Sequence, residues 1–169
     1  MNALELRGGV FCTTSGLLTA TGAETVHDTT VTINYVIDGK IRTKTAITDG
    51  ATPTTDIVTG LAFPLLTGGG SVANVPGVGA IVVWGLNAAG TVKCAQGPIE
   101  KLDMAGNFVR APQFPTIPDD FCPFAYQVLK AGATASASGI RFGTSNWNAT
   151  GFTNAIVNVA FLPSRPQVS

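Results

Sequence analysis

The sequence predicts an all-β fold, a single-domain antiparallel β-sandwich or barrel with long Gly- and Pro-rich loops. Three observations carry that expectation: apolar residues alternate at period two in short runs, turn residues separate the runs, and no long amphipathic helix pattern occurs anywhere. A chain of 169 residues most simply makes one domain with a core of its own. Residues 1–14 read as an N-terminal arm and first strand, and residues 15–169 as one β domain.

Taken in order, Gly9 to Thr14 and Leu17 to Thr21 are the first strand candidates. Next comes a hairpin in which Val31, Ile33 and Tyr35 alternate with polar residues, Asp38-Gly39 turns the chain, and Ile41, Thr43 and Thr45 alternate on the far side. A two-residue Asp-Gly loop sets Tyr35 opposite Arg42 and Ile33 opposite Lys44. A three-residue loop with Gly39 left-handed sets Tyr35 opposite Ile41 and Ile33 opposite Thr43. The second is preferred because it keeps apolar residues together and leaves Arg42 and Lys44 in water. Thr55 to Leu61 is a further strand candidate. Ile81 to Leu86 then runs into Asn87-Ala88-Ala89-Gly90, with Thr91 to Ala95 returning and Gly90 free to take positive φ.

Phe124 to Lys130 sets Phe124, Tyr126 and Val128 on one face at period two, with a short helix starting at Pro123 as the alternative. Gly139 to Phe142 is a short strand. In Asn154 to Leu162, Ala155, Val157, Val159 and Phe161 share a face while Ile156 and Leu162 are also apolar, as in a strand covered on both sides. Two connections stand out. Residues 66–80 form a long Gly-rich loop suited to ordering by a partner. Residues 111–123 place Pro at 112, 115 and 118, which favours an extended path crossing from one sheet to the other, with a P-x-x-P ligand as the alternative.

Composition narrows the function. Hydrophobic residues are 45% of the chain and charged residues 12%, about half the usual share, with ten basic and ten acidic side chains. No basic stripe is available to neutralise phosphates, so nucleic acid is not the expected partner. No run approaches the roughly 20 apolar residues of a membrane helix, and Met1 to Arg7 lack the basic start and apolar stretch of a signal peptide. Synthesis in a reducing cytoplasm is expected. Few charges and a net charge of zero suit a chain that hides surface in an oligomer or larger assembly.

Chemistry is hard to assemble. Cys12, Cys94 and Cys122 are odd in number and widely spaced, which suits core thiols rather than a disulfide framework or zinc site. His27 is the single histidine, and adjacent Asp28 would point to the opposite face of a strand. It reads as a turn or edge residue before a strand starting near Thr29. Asp49, Asp56, Asp119 and Asp120 sit in turn-like surroundings where Asp bonds local backbone, and Asp119-Asp120 lacks the rest of a calcium loop. Residues 67–71, Thr-Gly-Gly-Gly-Ser, lack the Gly-Lys-Ser/Thr ending of a phosphate loop. No catalytic, metal or cofactor residue is therefore assigned. Asn148-Ala149-Thr150 spells a glycan acceptor that needs a secretory route, so it is discounted. Trp147, flanked by Asn146 and Asn148, is left either to packing within the chain or to a contact between chains.

The C-terminal half resembles structural proteins of tailed-bacteriophage virions. The resemblance rests on Ala80-Ile81-Val82-Val83-Trp84-Gly85, on residues 90–97 (Gly-Thr-Val-Lys-Cys-Ala-Gln-Gly), on Pro123-Phe124-Ala125-Tyr126 with Val128 and Lys130, on residues 142–151, and on Leu162-Pro163-Ser164-Arg165-Pro166. It covers roughly residues 80–166 and is strongest toward capsid decoration (cement) proteins. That implies a small, non-enzymatic β protein, a homotrimer on the outer capsid surface bridging subunits of the major capsid protein. Candidate capsid or inter-subunit contacts are Met1, Asn2, Leu4, Leu6, Phe63, Leu65, Leu66 and Trp147. Two other readings remain open: a tail fibre or spike module binding host-surface glycan, which would gather Trp84 and Trp147 in one concave face, and a cell-wall-degrading enzyme, which would need a carboxylate pair or a histidine-based site. If the first residues act as an arm that pairs with a capsid strand, deleting residues 1–7 lowers capsid occupancy and leaves the trimer intact by sedimentation; unchanged occupancy removes the arm from the contact.

Overall fold

The computed structural model describes residues 11–12, 18–20, 25–72, 74–146 and 149–168. The described residues are all-β. The strands are β1 (Phe11–Cys12), β2 (Leu18–Ala20), β3 (Val26–Thr29), β4 (Ile33–Ile37), β5 (Lys40–Lys44), β6 (Gly50–Ala51), β7 (Leu65–Leu66), β8 (Val78–Asn87), β9 (Val92–Gln96), β10 (Glu100–Lys101), β11 (Phe121–Ala131), β12 (Ile140–Arg141) and β13 (Phe152–Asn158). All strand pairings are antiparallel. The architecture is a sandwich; the sheets do not close into a barrel.

Its centre is a five-stranded sheet in which β8 lies between β11 on one side and β9 and β10 on the other, with β13 beyond β11. Alternation divides β8 cleanly. Ala80, Val82, Trp84 and Leu86 join one core cluster, and Ile81 and Val83 join another on the opposite face. Two smaller sheets, β1-β4-β5 and β2-β3-β6, cover the first face with the β7-β12 ribbon. The second face is covered without strands. Phe114 and Ile117 of the proline-bearing segment, with Leu162 and Val168 of the C-terminal tail, pack there against Ile81, Val83 and Tyr126. The Phe114 ring meets Tyr126 edge-on at 5.1 Å, and the Tyr126 hydroxyl accepts a 2.8 Å bond from the Gln167 amide. The segment at 111–119 is therefore a strap along the outer face of one sheet, not a bridge between two.

Strand β11 carries a bulge. Pro123 pairs with Gly85 and Ala125 with Trp84, leaving Phe124 as the extra residue. A proline has no N–H to give the ladder, and a bulge is where a central strand tolerates one. The inserted residue reverses the alternation. Phe124 and Ala125 both face the first core, whereas Tyr126 and Val128 face the second. The expectation of one shared face for Phe124, Tyr126 and Val128 fails for this reason, and the helix alternative at Pro123 falls with it.

The hairpin at 87–91 forms as expected. Asn87 accepts the Ala89 and Thr91 amides on its side-chain oxygen at 3.1 and 2.9 Å, and Gly90 takes φ 75°. The first hairpin takes the register of the two-residue loop, not the preferred three-residue one. Tyr35 pairs with Arg42 and Ile33 with Lys44, around a two-residue turn in which Asp38 and Gly39 both have positive φ, 54° and 70°. That is the type I′ geometry whose twist matches the strands, and it outweighs cross-strand apolar matching. Arg42 and Lys44, both half-buried, thus share the face of Tyr35 and Ile33, Lys40 stays exposed beside the turn, and Ile41 is left 81% exposed on the other face.

Thr55 to Leu61 is a turn rather than a strand, with only isolated bridges at Thr55 and Asp56. Asp56 is buried and organises it: one carboxylate oxygen accepts the Val58 amide at 2.7 Å, and the other accepts the Gln96 amide of β9 at 2.9 Å. In the last segment the strand stops at Asn158, and Phe161 is exposed rather than sharing a covered face.

Gly39 isolates the backbone cost of the turn, because a Cβ there meets nothing within 4 Å. Gly39→Ala is expected to lower stability by about 1 kcal/mol, measured by urea unfolding; no loss would exclude the type I′ turn.

Candidate functional site

The groups with chemical potential are concentrated inside. His27 lies in β3, paired with Ala20 on one side and Gly50 on the other, and is 2% exposed. Its ring sits 5.0 Å from that of Trp84, and neither ring nitrogen reaches hydrogen-bonding geometry. Gly50 is required opposite it, since a Cβ would collide with Ile47 and crowd the imidazole. Burial lowers the His27 pKa below its ordinary 6.5; the Asp28 carboxylate and the Gly50 backbone oppose that shift and Lys44 adds to it. Asp28 does not orient the ring for proton transfer. Its carboxylate accepts the Asp49 amide at 2.6 Å, tying β3 to the turn before β6. The expectation of an edge or turn position for His27 is corrected: it is a core residue of a four-residue strand.

Trp84 is fully buried and anchors an aromatic group with Phe142 at 5.4 Å and, through Phe142, Phe63 at 5.0 Å. Its indole N–H donates to the Gln127 amide oxygen at 3.2 Å. A tryptophan in this position cannot line the concave sugar-binding face that the glycan reading requires. Cys94 is also sealed; burial and then the Asp56 carboxylate push its thiol well above the ordinary range, so the thiolate is suppressed.

The candidate contact residues separate sharply. Phe63 and Leu66 are fully buried and belong to the first core, so their side chains offer no area to a partner. Leu65, between Pro64 and Leu66, is 43% exposed. Strand alternation explains the split, since Leu65 and Leu66 point to opposite sides of β7. Arg141, paired with Leu65, donates to the Phe63 carbonyl at 2.7 Å and pins this ribbon to the preceding turn. Met1, Asn2, Leu4, Leu6 and Trp147 lie outside the described residues.

Sequence patterning did not single out the surface that the fold assembles from the strap and the tail. Two adjoining hollows of about 370 and 430 Å³ share Phe114 and Ser164. Pro115, Ile117, Leu162 and Pro163 line the first, with Asp119 at its margin, and Arg165 lines the second. Phe161, next to Leu162, is 60% exposed. This groove mixes apolar and polar lining, and it holds none of the chain's histidine or cysteine. No family model, curated protein or solved structure matches this chain.

The buried imidazole gives a pH test. A folded-state pKa below that of the unfolded chain means that the unfolded chain binds the extra proton first. The His27 contribution is thus complete above pH 6.5 and is lost as pH falls through the lowered folded value. Urea midpoints of wild type are expected to drop over that range more steeply than those of His27→Gln; parallel profiles would show that His27 is hydrated in the native state.

Proposed function

We propose that this protein is a non-enzymatic structural component of a tailed-phage virion, decorating the outer capsid as a homotrimer that bridges subunits of the major capsid protein. The observation that carries this reading is the distribution of side chains: the histidine and the three cysteines are packed into the core, while sizeable apolar groups face outward. Ile41, Leu61, Val109 and Phe161 are 81%, 69%, 66% and 60% exposed. On a chain with ten charges of each sign, such a surface suits burial against neighbours. The resemblance across residues 80–166 supplies the kind of neighbour.

The mechanism is additive contact energy. Apolar area removed from water contributes roughly 25 cal/mol per Å², reduced by the cost of association. Modest contacts repeated around a three-fold axis combine into multivalent clamping of several capsid subunits at once. A central sheet covered on both faces gives the rigid body that such a clamp needs.

Two measurements test the proposal together. Protein quantitation of purified particles is expected to find a copy number comparable to that of the major capsid protein; a few copies per particle would point instead to a tail or fibre location. Phe161→Ala, a surface change expected to move stability by less than about 0.5 kcal/mol, should lower capsid occupancy in a rebinding assay. Full occupancy would remove the Phe161 face from the contact.

A further inference from the structure

Two thiols meet where the N-terminal strand reaches the central sheet. Cys12 ends β1, pairs with Tyr35 of β4, and donates its amide to the Ala160 carbonyl at 3.1 Å. Cys122 lies in β11 opposite Leu86, one residue before the bulge region begins at Pro123. The residues are 3% and 1% exposed and belong to the same core cluster. The backbones of β1 and β11 come within 8 Å Cα to Cα, and Cys12 is near enough to Cys122 to raise its thiol, while the Cys12 and Cys122 thiols donate to the Asn34 and Pro123 carbonyls at 3.5 and 4.0 Å. Disulfides span about 4.4–6.8 Å between Cα atoms, a span compatible with strands that approach within 8 Å. Both residues are thiols in this structure. The third cysteine is elsewhere: Cys94 lies on β9, with β8 between it and Cys122.

We propose that Cys12 and Cys122 form an intramolecular disulfide by exchange with a small-molecule disulfide such as oxidised glutathione, stapling the N-terminal strand to the central sheet. This site is independent of the capsid reading. In the first step the Cys12 thiolate attacks one sulfur of the small disulfide, releasing one small thiolate and leaving a mixed disulfide. The Cys122 thiolate then attacks the Cys12 sulfur, and the second small thiolate leaves. The two protons from the protein thiols pass to the two released thiolates. The protein loses two electrons and the small disulfide gains them.

The order follows from the fold. Strand β1 is two residues long and lies at the edge of its sheet, so its opening exposes Cys12 without disturbing β11. In the closed state Cys122 is a poor nucleophile, because contact with Cys12 and burial raise its thiol. Exchange is therefore slow in the folded protein and keeps pace with local opening. The product closes a loop of about 110 residues, which restricts the unfolded chain. It is absent in a reducing cytoplasm and stable once the protein reaches an oxidising medium.

The test uses the full chain, purified reduced and incubated with oxidised glutathione, with and without urea below the unfolding transition. The expected result is loss of two of the three thiols and of two hydrogens in mass, with a Cys12–Cys122 linked peptide after proteolysis. The urea midpoint should rise and return to its starting value on adding dithiothreitol. Cys94→Ser should react in the same way, while Cys12→Ser and Cys122→Ser should yield no internal link. If Cys94→Ser does not fold, peptide mapping of wild type still identifies the linked pair. Persistent glutathione adducts, a link through Cys94, dimers between chains, or three intact thiols after incubation in urea would each overturn the proposal.

Discussion

The pairing of β8 with β11 is the constraint on which the rest of the structure depends. Both strands run through the middle of the central sheet with apolar side chains on both faces, and almost every residue of each is buried. Strands of that kind are stable only if both faces are covered. One face is covered by the small sheets that begin with β1 and β2. The other is covered by chain that has no strand partners, the strap and the tail. Each fully buried aliphatic or aromatic side chain contributes about 1.5–3 kcal/mol relative to exposure, so loss of either cover leaves an apolar sheet face in water.

Within that pairing, two local features set the details. The bulge at Phe124 exchanges the faces of β11 part-way along, placing Phe124 in the first core and Tyr126 in the second. Tyr126 can then meet both Phe114 of the strap and Gln167 of the tail. Glycine allows close approach where the sheet is most crowded: at Gly85 a Cβ would run into the Phe121 ring and the Cys122 carbonyl. The bond from Trp84 to Gln127 satisfies an indole N–H that would otherwise be orphaned in the interior.

Much of this was legible in the sequence, and the misses have physical causes. Strands β8 and β11 are long enough to show their character, and the 87–91 hairpin carries its own signal in an Asn that accepts two amides and a Gly at positive φ. Strands β3, β6, β7 and β10 have two to four residues, too few to display a period, and they are fixed by their neighbours. One imidazole next to an Asp has no periodic context that marks it as core; the burial of His27 against Trp84 is a tertiary fact. In the first hairpin the type I′ turn geometry outweighs the apolar matching that the pattern alone favours. Phe63, Leu65 and Leu66 are similar in hydrophobicity, and only the fold separates core from surface among them. The groove joins residues 111–119 to residues 162–166, a neighbourhood that no local pattern announces.

The inward-facing cations of β5 have a consequence for assembly. A new strand added at that edge would extend the cover over half-buried Arg42 and Lys44 and strip water from two like charges on one face. Growth of the small sheet from one copy to the next is therefore opposed, even though the chain has no net charge to keep copies apart. Open-ended growth by strand addition is opposed at the β5 edge, which leaves side-chain surfaces rather than backbone pairing as the means of any contact between copies.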